Sequence, residues 1–145
     1  MHPNGYFALI LTEASRNVLL RQYATLMHGI AHHCTVRYGS DQVSDLPTPF
    51  TPADLGRIFQ LRVIGLARLE GKLEAVAVAL VLSDGQLLEC GFSENPIPHV
   101  TVATDGMEEP ARANDLLANG FQRIEGPVLE ARLDHTRASS KRTQI

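Results

Sequence analysis

The sequence predicts an α+β domain whose two sheets, or half-sheets, each contribute one strand with a histidine and a threonine on the same face. Three observations lead there. The chain opens as strand, helix, strand; its middle is two β-rich runs joined by a short turn; and two segments of the same pattern, "HCTV" at 33–36 and "HVTV" at 99–102, lie far apart in the chain.

Taken in order, "YFALIL" (6–11) reads as a buried strand. The next segment, 12–30, has apolar residues at helical spacing (Val18, Leu19, Tyr23, Leu26, Met27, Ile30), with Thr12 placed as its N-cap. "HCTVRY" is the second strand. Residues 39–52 are rich in Gly, Pro, Ser and Asp and predict a surface loop, a common home for functional groups. "IFQLRVIGLARL" and "LEAVAVALVL" form a hairpin across "EGK", and a short strand at "QLLECGF" follows. The turn "ENPIP" leads into the strand "HVTVAT", a helix around "PARANDLLANG" stops at Gly120, and "PVLEARLDH" closes the fold. Residues 1–135 make one domain. Residues 136–145 have no hydrophobic period and predict a mobile tail, whose Arg137, Lys141 and Arg142 are basic enough to touch RNA.

Composition narrows the function. The chain has 145 residues, 20% of them charged, and a net charge of −3, which fits one globular domain and argues against a surface built to coat nucleic acid. Two cysteines, Cys34 and Cys90, are too few for a disulfide framework, so a reducing cytoplasm is expected. The apolar run at the N-terminus breaks at Thr12-Glu13, far short of a signal or membrane span. Neither a membrane nor an obligate protein partner is expected.

The paired motif carries the chemistry. Side chains alternate along a strand, so His33 and Thr35 share one face and Cys34 and Val36 the other, and His99 and Thr101 are likewise set against Val100 and Val102. Chance supplies about 0.4 His-x-Thr triplets in a chain of this composition. Two triplets that each have an apolar residue between the His and the Thr and another after the Thr arise roughly twice in a thousand shuffles. Two imidazoles and two hydroxyls on facing strands can cleave a phosphodiester without metal. One neutral imidazole takes a proton from water, the other, protonated, gives one to the departing oxygen, and the hydroxyls bond the phosphate oxygens. No cofactor is required, and no carboxylate or Cys/His cluster accompanies either motif.

With both motifs complete, the chain resembles the 2H phosphoesterases over roughly residues 5–135. "NPIPHVTVAT" with "ARANDLL" is similar to the cyclic phosphodiesterase domains of plant and fungal tRNA ligases, and "YFALIL" with "HCTVRY" to the myelin cyclic-nucleotide phosphodiesterase. The resemblance implies a bilobal fold, two antiparallel sheets facing a central cleft with helices outside. It also implies hydrolysis of a nucleoside 2′,3′-cyclic phosphate or RNA end to a 2′-phosphate, with His33, Thr35, His99 and Thr101 catalytic. His99 is then the base and His33 the acid, and Tyr6 and Tyr38 sit where aromatic side chains stack on the base. In an ideal strand Arg37, not Tyr38, shares the His33 face and meets the phosphate, so Tyr38 reaches the site only if the strand ends or twists there.

Other readings compete. Within the family, 2′-5′ phosphodiester hydrolysis or ligation and opening of ADP-ribose cyclic phosphate use the same residues. Outside it, the cleft is a non-catalytic module binding a nucleotide or RNA end. His28 and His32 are four apart, but the helix does not continue through Gly29, so they read as surface histidines rather than a metal pair. A Cys34–His33 nucleophile fails because neighbouring strand residues point apart.

Overall fold

The computed structural model describes residues 2–137. Strand β1 (Tyr6–Leu11) leads through Thr12 into helix α1 (Glu13–Tyr23). Thr12 is the expected N-cap, its hydroxyl accepting from the Ser15 amide at 3.3 Å. The helix spans 11 residues and ends at Tyr23, well short of the expected residue 30. The Glu74 carboxylate takes the Thr25 amide (2.9 Å) and hydroxyl, while Arg68 bonds both Glu74 (2.9 Å) and the Tyr23 carbonyl (2.8 Å). These groups occupy the end of the helix and leave Ala24 extended, which the periodicity of 12–30 does not reveal.

Two short strands complete the opening: β2 (His28–Gly29) and β3 (His33–Tyr38). The long segment that follows is not wholly on the surface, because Phe50 is buried against Phe59 and Phe92. Strands β4 (Ile58–Leu69) and β5 (Leu73–Val81) form the expected hairpin. The strand expected at "QLLECGF" shrinks to β6 (Leu87–Leu88), since nearer the start of β5 the Val78 amide bonds the Pro98 carbonyl (2.9 Å) and pairing belongs to β7 (His99–Thr104). A 3-10 turn at Pro110–Arg112 precedes helix α2 (Ala113–Ala118), then come β8 (Gln122–Arg123) and β9 (Val128–Thr136). Thr136 and Arg137, placed in the tail by the sequence, are instead tied to the fold, Thr136 pairing with Tyr6 and Arg137 bonding Asp41 at 3.0 Å. Residues 138–145, with Lys141 and Arg142, lie outside the described residues. No helix among the described residues is long and apolar enough to cross a membrane.

The α+β class holds, with a mostly antiparallel sheet and two short helices. In place of two sheets there is one among the described residues, in the order β2-β7-β5-β4-β9-β1-β3, with β6 on β5 and β8 on β4. The β4–β9 ladder joins what the sequence suggests as separate halves. All the long strands send alternate residues into one core, including Phe7, Leu9, Val36, Val63, Val78, Val102 and Leu133. Covering that many apolar side chains with one sheet requires it to wrap, and β3 and β7, distant in sheet order, meet in space. Ala31 makes the crossing. Its amide bonds the Thr101 carbonyl (2.9 Å) beside Ile30 on Val102 (2.7 Å), and its φ of 43° turns the chain toward β3 at a cost of about 1–2 kcal/mol for a non-glycine residue. Helix α2 packs Ala113 and Leu117 on the other face of β5, over Ala75, Ala77 and Ala79.

Glu74 is 1% exposed. Burial alone would raise its carboxyl, but the Thr25 and Arg68 hydrogen bonds outweigh that and hold it below the ordinary carboxylate value. Glu74→Ala should cost about 2–3 kcal/mol in urea denaturation, since it strands the Thr25 amide and the inner side of Arg68. A lowered folded value means that the stabilisation is present above the unfolded Glu range of about 4.3 and disappears as pH falls through the folded value. The acid limb of the stability curve should therefore be shallower in Glu74→Gln than in the parent.

Candidate active site

The alternation read from the two motifs is realised at the β3–β7 seam. Cys34, Val36, Val100 and Val102 are fully buried in the core, so His33, Thr35, His99 and Thr101 face away from it and line one hollow of about 420 Å³. The seam is tied from both sides. Glu94 donates its amide to the Val36 carbonyl (2.8 Å), and the Ser93 hydroxyl bonds the Thr35 carbonyl (2.6 Å).

Tyr38 reaches the hollow and Arg37 does not, the reverse of the ideal-strand expectation. Tyr6 pairs with Tyr38 and Phe7 with Arg37, but Ala8 pairs with Thr35, leaving Val36 as an extra residue. This β-bulge reverses the alternation beyond it. Arg37 falls on the Phe7 side, half exposed, with its guanidinium 4.0 Å from Glu94. Tyr38 joins the His33 side. Tyr6 is 5% exposed and lies against His33 (ring centroids 5.1 Å) and Tyr38 (6.2 Å, planes 22° apart). Tyr38 is 46% exposed, so it has ring surface to offer a flat ligand.

The two histidines have different surroundings. His99 is 8% exposed, and its Nδ1 lies 2.8 Å from the Ile97 carbonyl. A carbonyl only accepts, so Nδ1 carries the hydrogen and Nε2 keeps its lone pair. Burial pushes the imidazole below its ordinary value, with the Ile97 bond offsetting this in part. His33 is half-buried, and its Nδ1 meets Nδ1 of His32 at 2.9 Å. The hydroxyls differ as well. Thr101 Oγ1 donates to the Pro110 carbonyl (3.2 Å), whereas no bond is made by Thr35 Oγ1 among the described residues.

The sequence reading missed four polar wall residues. His32 lines the hollow instead of lying on the surface, and Glu94, Asn95 and Asn114 complete the rim. His32 precedes β3, so strand alternation does not govern it. Glu94 and Asn95 lie in "ENPIP", a turn whose fold-back onto β3 is a tertiary event. His28 is exposed as expected, in β2 against Thr104. The thiol of Cys34 is pushed up to about 12 by burial, with a His99 backbone contact opposing, so it is no nucleophile at neutral pH. Among the described residues no three His, Cys, Asp or Glu side chains are grouped to hold a metal ion.

Family models give no match to this sequence, and neither do curated proteins. The chemistry therefore rests on the hollow itself: a lone-pair nitrogen on a buried neutral imidazole, a second imidazole across the seam, a hydroxyl beside each, and an exposed aromatic ring at one end.

Long-range ¹H–¹⁵N NMR should find His99 as the Nδ1–H tautomer and still neutral at a pH below the ordinary imidazole value of about 6.5. A burial-lowered value delays protonation to more acid pH. An Nε2–H form at neutral pH would contradict the Ile97 hydrogen bond.

Proposed function

We propose that the protein is a metal-independent phosphodiesterase of the 2H kind that opens nucleoside or RNA 2′,3′-cyclic phosphates to 2′-phosphates. One observation carries the reading: two His-x-Thr strands, remote in sheet order, line a single hollow. Its volume lies within the roughly 300–1,000 Å³ usual for small-molecule sites. On this reading the two lobes of the family correspond to the halves β3-β1-β9 and β4-β5-β7 of the one sheet, which the β4–β9 ladder joins.

Neutral His99 Nε2 takes a proton from water as its oxygen bonds to phosphorus. The bond from phosphorus to the 3′ oxygen breaks, and His33 delivers a proton to that oxygen, leaving a 3′ hydroxyl and a 2′-phosphate. Charge builds on the non-bridging oxygens, where Thr35 can donate without surrendering a bond. Thr101 has one hydroxyl hydrogen, already on Pro110, so turning it to the phosphate gives that bond up. The exposed ring of Tyr38 takes the base.

Incubation with the four nucleoside 2′,3′-cyclic monophosphates should yield 2′-monophosphates, in the presence of EDTA as in its absence. His33→Ala and His99→Ala should each abolish turnover. Binding without turnover in the parent would instead mark a nucleotide-binding module, and loss of activity in EDTA would refute the metal-free route.

The side chains should separate kinetically. Thr35→Ala should lower kcat about 10²- to 10³-fold, Thr101→Ala by less, and Thr35→Ser little. Tyr38→Ala should raise KM by the equivalent of about 1–3 kcal/mol of stacking, with Arg37→Ala near the parent value. A larger KM effect at Arg37 than at Tyr38 would contradict the bulged geometry.

A further inference from the structure

We propose that His32 and His33 act as one unit, a hydrogen-bonded imidazole pair that holds a single positive charge and serves as the general acid, with His32 as its positioning residue. This rests on the phosphodiesterase reading above and goes beyond it by assigning work to a side chain outside both motifs.

Two independent observations support the pair. The Nδ1 atoms are 2.9 Å apart, and the rings are nearly perpendicular, 82° with centroids 5.1 Å apart. That is a nitrogen-to-nitrogen hydrogen bond and not a stacking contact. The backbone also supplies a reason for the placement. His32 lies just before β3, where strand alternation no longer fixes its direction, and its ring turns to face that of His33. The two come directly after Ala31, buried and the single non-glycine residue with positive φ among those described. Strain of this kind concentrates where function requires an arrangement that the regular backbone would not give.

The geometry restricts the protons. One Nδ1 must donate and the other accept, so the contact holds one hydrogen. When the pair carries one charge, that hydrogen sits on either Nδ1, and in both forms His33 has a hydrogen on Nε2. The charged pair is therefore an N–H donor at His33 Nε2 whichever ring is formally charged. His99, fixed by Ile97, is a lone-pair acceptor. As the bond to the 3′ oxygen breaks, the Nε2 hydrogen passes to that oxygen, the shared hydrogen settles on His33 Nδ1, and the pair becomes neutral. The proton taken up from water by His99 keeps the balance, and transfer back through solvent resets both. Among the described residues, the charged and titratable groups around the pair include Tyr6 against the His33 ring, Tyr38 beyond it, and His99 and Glu94 lining the same hollow. Arg16 bonds the carbonyls of Gly29 and Ile30 at the start of the segment.

Three variants test the pair. With a 2′,3′-cyclic phosphate, His32→Ala should lower kcat about 10- to 100-fold at constant KM and move the alkaline limb of the pH profile to lower pH, because charged His33 has lost its acceptor. On a nucleotide 4-nitrophenyl phosphodiester, whose leaving group needs no proton, the same variant should approach parent activity. His32→Asn, whose Oδ1 can stand where Nδ1 stood, should keep most activity on both, and Ala31→Gly should match the parent because glycine accepts the same φ. Equal losses on both substrates, or an unmoved alkaline limb, would overturn the proposal. If the parent turns over neither substrate, the phosphodiesterase reading fails on its own. The pair is then judged by ¹⁵N NMR, where a His33 Nδ1 signal unchanged by His32→Ala would refute it and a shifted one would uphold it.

Discussion

Everything at the site depends on β3 and β7 meeting across a sheet in which they are far apart. No ladder joins the two strands directly. Four hydrogen bonds from the segments at Ile30–Ala31 and Ser93–Glu94 secure the seam, and the shared core of Cys34, Val36, Val100 and Val102 lies behind it. The core supplies the driving force, because side chains from all the long strands are buried together only if the sheet wraps. Polar side chains on the outer face of both strands are then brought together as a consequence of packing on the inner one.

Closure also sets the electrical character of the hollow. His99 sits where the wrapped sheet and the Ile97 carbonyl enclose it, which favours the neutral ring with a fixed tautomer. His33 lies across the seam with another imidazole, that of His32, against its Nδ1. Two chemically identical side chains are thereby given unlike surroundings by their hydrogen bonds. The acid and base pair proposed for the site requires such unlike environments.

The remaining devices work at a distance from the hollow. The Glu74 cluster stops α1 and frees 24–32 to run along β7 and turn at Ala31. The bulge at Val36 costs one ladder position and in return rotates Tyr38 toward the histidines and Arg37 away. Both are local departures from regular structure whose effect is felt at the site, and a fully regular chain would place neither His32 nor Tyr38 there.

By itself the sequence determined the α+β class, most of the strands, the N-cap of α1, and the four residues His33, Thr35, His99 and Thr101 with their shared faces. These follow from short-range rules, a period of two in strands and 3.6 in helices, that hold whatever the rest of the chain does. Tertiary structure decided that there is one wrapped sheet, where α1 ends, that Tyr38 and not Arg37 enters the hollow, and that His32 stands beside His33. Each of these depends on a partner remote in sequence or on a single irregular backbone position: Glu74 for the helix end, β9 for the joined halves, β1 for the bulge, Ala31 for the histidine pair. Periodicity has no way to register them, because the energy that selects them belongs to contacts that exist only once the chain has closed.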